Sequence, residues 1–119
     1  MDPGLTVYEK PTCSTCRSLT ALLEGRGIDF ETVDYHVDGI SEARLRELLA
    51  KSGMTARDVL RVKEPLVVEL SLADEGVDED ELVAAMVEHP QLVQRPIVER
   101  GDRAVLARPV DRVLELLDD

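Results

Sequence analysis

The chain has 119 residues, 44% hydrophobic and only 3% aromatic, with a formal charge of −11 at pH 7. That length suits one domain, residues 1–119, whose modest core must be filled by Leu, Val and Ile. The acid excess speaks against nucleic acid as a partner, which needs clustered Lys and Arg, and no stretch approaches the roughly 20 apolar residues of a membrane span.

After a short lead-in, residues 5–8 alternate apolar and polar as a strand does, and Pro11, lacking an N–H, closes it. Leu19, Leu22 and Leu23 then recur at helical spacing. A helix is expected from near Cys13 and Ser14 to Gly25-Arg26-Gly27, where glycine supplies a left-handed cap. Residues 28–35 alternate again, giving a βαβ unit with a parallel strand pair. Ser41 opens a helix buried through Leu45, Leu48 and Leu49 and ended by Gly53. Thr55 is expected to cap a short helix over residues 56–60, and residues 66–72 fit a helix or a strand. Asp78 caps a further helix ending at His89-Pro90.

The last third changes character. Residues 92–99 read as a strand reached through Arg95-Pro96, Gly101-Asp102 as a hairpin turn, and residues 104–106 as the returning strand. Arg108-Pro109 starts a final helix with Pro109 at its first position. The order predicts an α/β, thioredoxin-like β-α-β…β-β-α mixed sheet, with a helical insertion at about 41–90 between the second and third strands.

Chemistry concentrates at Cys13 and Cys16, one helical turn apart where the first helix begins. Unpaired N–H groups and the positive dipole end there favour an anion. A thiolate is such an anion, so Cys13 should be acidic and nucleophilic near neutral pH. Arg17 adds a positive charge one turn on, and the same physics makes an oxyanion site. Zinc would need four ligands, and His36 and His89 form no second paired motif. A structural disulfide across so small a loop would stabilise little. Strand, proline, C-x-x-C and amphipathic helix in that order read as a thioredoxin-like redox motif, suited to a reducing cytoplasm. His89 reads as a capping imidazole at a helix C-terminus, and His36 as a surface-loop residue.

Pro11-Thr12-Cys13, Val59-Leu60-Arg61, His89-Pro90, Arg95-Pro96-Ile97 and Leu106-Ala107-Arg108-Pro109 follow one another along nearly the whole chain. In that order they resemble the glutaredoxin-coupled arsenate reductases, whose wider superfamily includes the Spx-type regulators. The resemblance implies that Cys13 attacks arsenate while Arg61, Arg95 and Arg108 hold the oxyanion. Guanidinium forks suit such tetrahedral anions. Arg17 and the loop residues Thr12, Ser14 and Thr15 would complete the cradle, and Pro96 matches the family's cis-proline. It also implies no bound cofactor or metal, an external thiol donor (glutathione with glutaredoxin, or thioredoxin), and a cytoplasmic monomer.

Two positions depart from the family's best-known members. Glu9 stands where they carry a histidine, and its charge would raise the Cys13 pKa unless Lys10 and Arg17 offset it. Cys16 replaces a serine and offers a resolving thiol, which would draw recycling toward a thioredoxin-like donor. Two alternatives stay open: a thiol-disulfide reductase without arsenate activity, and a Spx-type redox regulator of RNA polymerase. Arg108-Pro109, absent from the Spx-type pattern, weighs against the second.

Overall fold

The computed structural model describes residues 4–10 and 13–117. Its strands are β1 (Leu5–Glu9), β2 (Phe30–Asp34), β3 (Ile97–Arg100) and β4 (Arg103–Leu106), paired in the order β2-β1-β3-β4. β1 runs parallel to β2 and antiparallel to β3, which turns back into β4. The parallel pair needs a crossover, supplied by α1 (Ser14–Gly25). Between β2 and β3 come α2 (Tyr35–Asp38), α3 (Glu42–Ser52), α4 (Pro65–Glu69) and α5 (Glu79–Glu88). After β4 a 3-10 turn, Val110–Val113, leads into α6 (Leu114–Leu117). This is the thioredoxin-like α/β sheet with a helical insertion that the sequence order predicts.

Alternation along the strands sorts the core onto two faces. Leu5 and Val7 of β1, Val98 of β3 and Val105 of β4 pack with Leu19 and Leu23 of α1 and with Val113 and Leu116. Tyr8, Ile97 and Ala104 point the other way, onto Leu45, Leu48, Leu82 and Met86 of the insertion. Glu99 shares that second face and is buried there, ion-paired to Arg44 and Lys51 of α3. Arg44 also donates from Nε to the Tyr8 hydroxyl at 2.7 Å, which pins α3 to the sheet.

Local signals explain several boundaries. Ser41 and Asp78 cap α3 and α5, accepting from Arg44 N and Glu81 N. Gly53 ends α3 at φ 72°, a left-handed conformation that glycine adopts without a Cβ penalty. Pro65 starts α4, so the ambiguous apolar run over residues 66–72 begins helical.

Other boundaries differ from expectation. β2 stops at Asp34, because β1 ends at its register partner Glu9 and Tyr35 has no strand to pair with. The Asp34 side chain accepts from His36 N at 3.2 Å and starts α2 instead. Residues 56–60 form successive turns, with bonds such as Val59 N to Ala56 O at 3.2 Å, because Leu60 is drawn into a bridge with Val93. Of the expected strand over 92–99 only residues 97–99 pair in the sheet, and the strand runs on to Arg100. Pro109 caps the final 3-10 turn and is not its first residue. Pro11, expected to close β1, lies outside the described residues.

Candidate active site

Strand register decides what meets at one end of the sheet. Tyr8 pairs with Ile97 and Ile97 with Leu106, so the C-terminal end of β1, the start of β3 and the end of β4 coincide. Glu9, Lys10 and Cys13 follow Tyr8, Arg95 immediately precedes Pro96-Ile97, and Arg108 comes two residues after Leu106. Ala107 N donates to Pro96 O at 2.9 Å, and Arg108 Nη1 donates to Arg95 O at 2.8 Å. Both Arg95-Pro96 and Arg108-Pro109 are cis peptide bonds. Arg61 arrives from the insertion: its N–H donates to Leu92 O, and Gln94 N–H donates to Val59 O, each at 2.8 Å. These two bonds flank the Leu60–Val93 bridge, so that bridge is what delivers Arg61 to the Arg95 strand.

Cys13 occupies the N-cap of α1 in an extended conformation, φ −79° and ψ 126°, half-buried. Burial alone would raise its pKa. The Cys16 N–H and thiol, the Thr15 N–H and the Arg95 charge outweigh burial and bring it down to about 7. The thiol makes no formed cap hydrogen bond, so these donors act together on the ionised sulfur, a far better acceptor than the neutral one. Titrating thiolate absorbance against pH should therefore give a Cys13 midpoint near 7. A midpoint at or above about 8.5, where a free cysteine titrates, would refute the helix-terminus account.

Cys16 lies one turn inside α1 with no exposed surface. Burial pushes its thiol up to about 12, and the Cys13 sulfur and the Glu9 carboxylate push in the same direction. Glu9 is itself buried at the end of β1, and that burial, with Asp34 opposite, raises its carboxyl above the usual range. The charge that adds to the Cys16 and Thr15 donors in lowering Cys13 is that of Arg95; Arg17, offered as an offset, is exposed on α1 with no ion pair among the described residues.

The three arginines take different positions. Arg61 and Arg108 line one cleft of about 120 Å³ with Lys63 and Gln94. A cleft below the roughly 300 Å³ of organic-ligand pockets suits a small ion. Arg95 is not in that lining; it is buried at 6% exposure, and its Nε and Nη1 have no hydrogen-bond partner. Two buried guanidinium nitrogens without partners are costly, and a bound anion would satisfy them. Ser14 is exposed, Thr15 contributes its N–H to the Cys13 sulfur, and Thr12 lies outside the described residues. Lys63 and Gln94 were not singled out from the sequence, although each lies within two residues of an arginine that was. A larger, open hollow of about 410 Å³ between Gly4–Thr6 and Asp29–Glu31 is at the far end of β1 and, among the described residues, has no cation in its lining. Among the described residues no cluster of His, Cys, Asp and Glu gathers as a metal site would, and no helix is long and apolar enough to cross a membrane.

The model of the ArsC family matches residues 8–116. YfgD of Escherichia coli K12, an uncharacterized protein, is 40% identical over 118 residues, covering 98% of this chain and 99% of its own length. An arsenate reductase of Rhizobium meliloti is 36% identical over 115 residues, covering 97% of this chain and 82% of its own. The solved structure of an arsenate reductase from Vibrio cholerae superposes with a TM-score of 0.91 at 38% identity, covering 97% of this chain and 98% of that one.

Proposed function

Because the chain belongs to the ArsC family, we propose that it reduces arsenate to arsenite through a covalent adduct on Cys13. The observation that carries this reading is Arg95, a buried cation with unpartnered Nε and Nη1 acting on an ionised sulfur. Arsenate settles against Arg95 with Arg61 and Arg108 at the mouth, and the guanidinium charges offset repulsion between two anions. The Cys13 thiolate attacks arsenic, an As–S bond forms, and one oxygen leaves as water. A second thiolate then attacks the Cys13 sulfur. The As–S bond breaks with its electron pair on arsenic, which leaves as trivalent arsenite, and a disulfide remains.

Cys16 supplies that second sulfur. It is fully buried beside Cys13 and so is already in place when the adduct forms. Part of what holds it protonated is the Cys13 thiolate, and that charge is consumed when the adduct forms. The external donor then attacks the resulting disulfide at Cys13, the more accessible sulfur. An internal disulfide suits a thioredoxin-like donor, with glutathione and glutaredoxin as the alternative. A dithiol that must be regenerated suits a reducing cytoplasm. One chain carries both cysteines and all three arginines, so a monomer suffices.

The test is arsenite production from arsenate with each donor in turn. Turnover is expected with a thioredoxin system and is expected to be lost in Cys16→Ser, which should stall at the Cys13 adduct. No arsenite with any donor, while thioredoxin still reduces a Cys13–Cys16 disulfide, would leave a thiol-disulfide reductase that has no use for the three arginines.

A further inference from the structure

His36 follows β2 at the end of the sheet where Asp34 pairs with Glu9, although that place reads as a surface loop from the sequence. Its residue is half-buried, but its Nε2 atom is fully buried and has no hydrogen-bond partner. Among the described residues only His36 and Arg95 have buried side-chain nitrogens or oxygens left without a partner. The two lie within electrostatic reach of each other, since the Arg95 charge acts on the His36 imidazole. Arg95, Lys10 and Arg61 all act on the imidazole, and Arg95 and Arg61 also act on the neighbouring Tyr35. Arg95 in turn acts on the Cys13 sulfur.

The backbone of His36 and its neighbour Tyr35 together fix the residue's place. Asp34 Oδ1 accepts from the His36 N–H at 3.2 Å and fixes the start of α2. The Tyr35 hydroxyl donates to Val93 O at 2.7 Å, tying α2 to the segment that leads into Arg95. The Tyr35 and His36 rings lie 4.8 Å apart at 53°, so the imidazole packs against a side chain that is itself fixed.

We propose that His36 is a further catalytic residue, its Nε2 bonding the oxyanion seated on Arg95 and passing a proton to the oxygen that leaves arsenic. This rests on the arsenate reading above. Burial holds the imidazole below the usual histidine range, with Arg95, Lys10 and Arg61 pushing the same way and the Asp34 carboxylate opposing. A doubly charged oxyanion among those three cations reverses the local field, so the imidazole takes a proton from solvent as the anion binds. The step then balances. The Cys13 sulfur bonds to arsenic, and the As–O bond to a hydroxyl breaks with its electron pair on oxygen. That oxygen takes the Nε2 proton and leaves as water, and arsenic stays pentavalent. Solvent reprotonates His36 when the next anion arrives.

Sulfate tests the binding half without interference, because it is a tetrahedral dianion that neither reacts nor titrates near neutral pH. In Cys13→Ser, which removes the other group titrating there, calorimetry of sulfate binding in buffers of different ionisation heat should show uptake approaching one proton. Adding His36→Asn should abolish that uptake while sulfate still binds. For the chemical half, His36→Asn in the Cys16→Ser background should slow Cys13 adduct formation by about 100-fold at saturating arsenate. Equal proton uptake with and without His36, or adduct formation at the unaltered rate, would overturn the proposal and leave the arsenate reading standing. Failure of sulfate and arsenate to bind at all would overturn both.

Discussion

Replacing Cys13 by serine is expected to reduce arsenate turnover by at least about 10⁴-fold, to background. The hydroxyl that takes its place is not ionised near neutral pH, so the N–H groups of Thr15 and Cys16 and the Arg95 charge have no anion to stabilise. Fold and anion site should be untouched, because Cys13 is a half-buried cap residue with no formed side-chain cap bond to lose. The variant should therefore still bind sulfate and melt near the unaltered temperature. Residual turnover within tenfold of the unaltered chain would mean that Cys16 or an outside thiol attacks arsenate directly. The burial of Cys16 makes the first of these unworkable.

The second large effect falls on Arg95. Arg95→Met should cost about 10² to 10³ in kcat/KM for arsenate, the usual loss when one preorganised oxyanion partner is removed. Its effect on folding should run the other way. The Arg95 guanidinium is buried with two unpartnered nitrogens, and an apolar side chain of similar length removes that desolvation penalty. The melting temperature should hold or rise while activity collapses. The Cys13 midpoint should rise as well, because Arg95 is one of the groups that lowers it. A variant that melts earlier and keeps its activity would contradict both halves and make Arg95 a structural residue.

How much of this was legible in the chain depends on the distance over which each signal acts. β1, α1 and the β3–β4 hairpin announce themselves through alternation, helical spacing and Gly101-Asp102, all local patterns. The cap roles of Ser41 and Asp78 were equally local. Arg61 is different. No periodicity leads from residue 61 to the sheet edge; a single bridge between Leu60 and Val93 does, linking segments more than thirty residues apart. The same bridge undid the helix expected over residues 56–60, so one long-range pairing accounts both for a misread element and for the arrival of a site residue.

His36 was hidden for a related reason. Alternation through Tyr35 suggested a continuing strand, and only the matching end of β1 at Glu9 shows why the chain must turn into α2 there. Arg17 erred in the opposite direction. It is close to Cys13 in sequence, yet it sits on the solvent side of α1, and the guanidinium that acts on the sulfur comes from Arg95.

The most direct measurement is arsenic X-ray absorption on the Cys16→Ser protein mixed with arsenate in the absence of any donor thiol. An arsenic atom bonded to Cys13 must show a sulfur neighbour beside its oxygens, and that sulfur must vanish when Cys13 is also replaced by serine. Arsenic bound to the protein with oxygen neighbours alone, in both variants, would mean that the arginines bind the anion but the cysteine never attacks it.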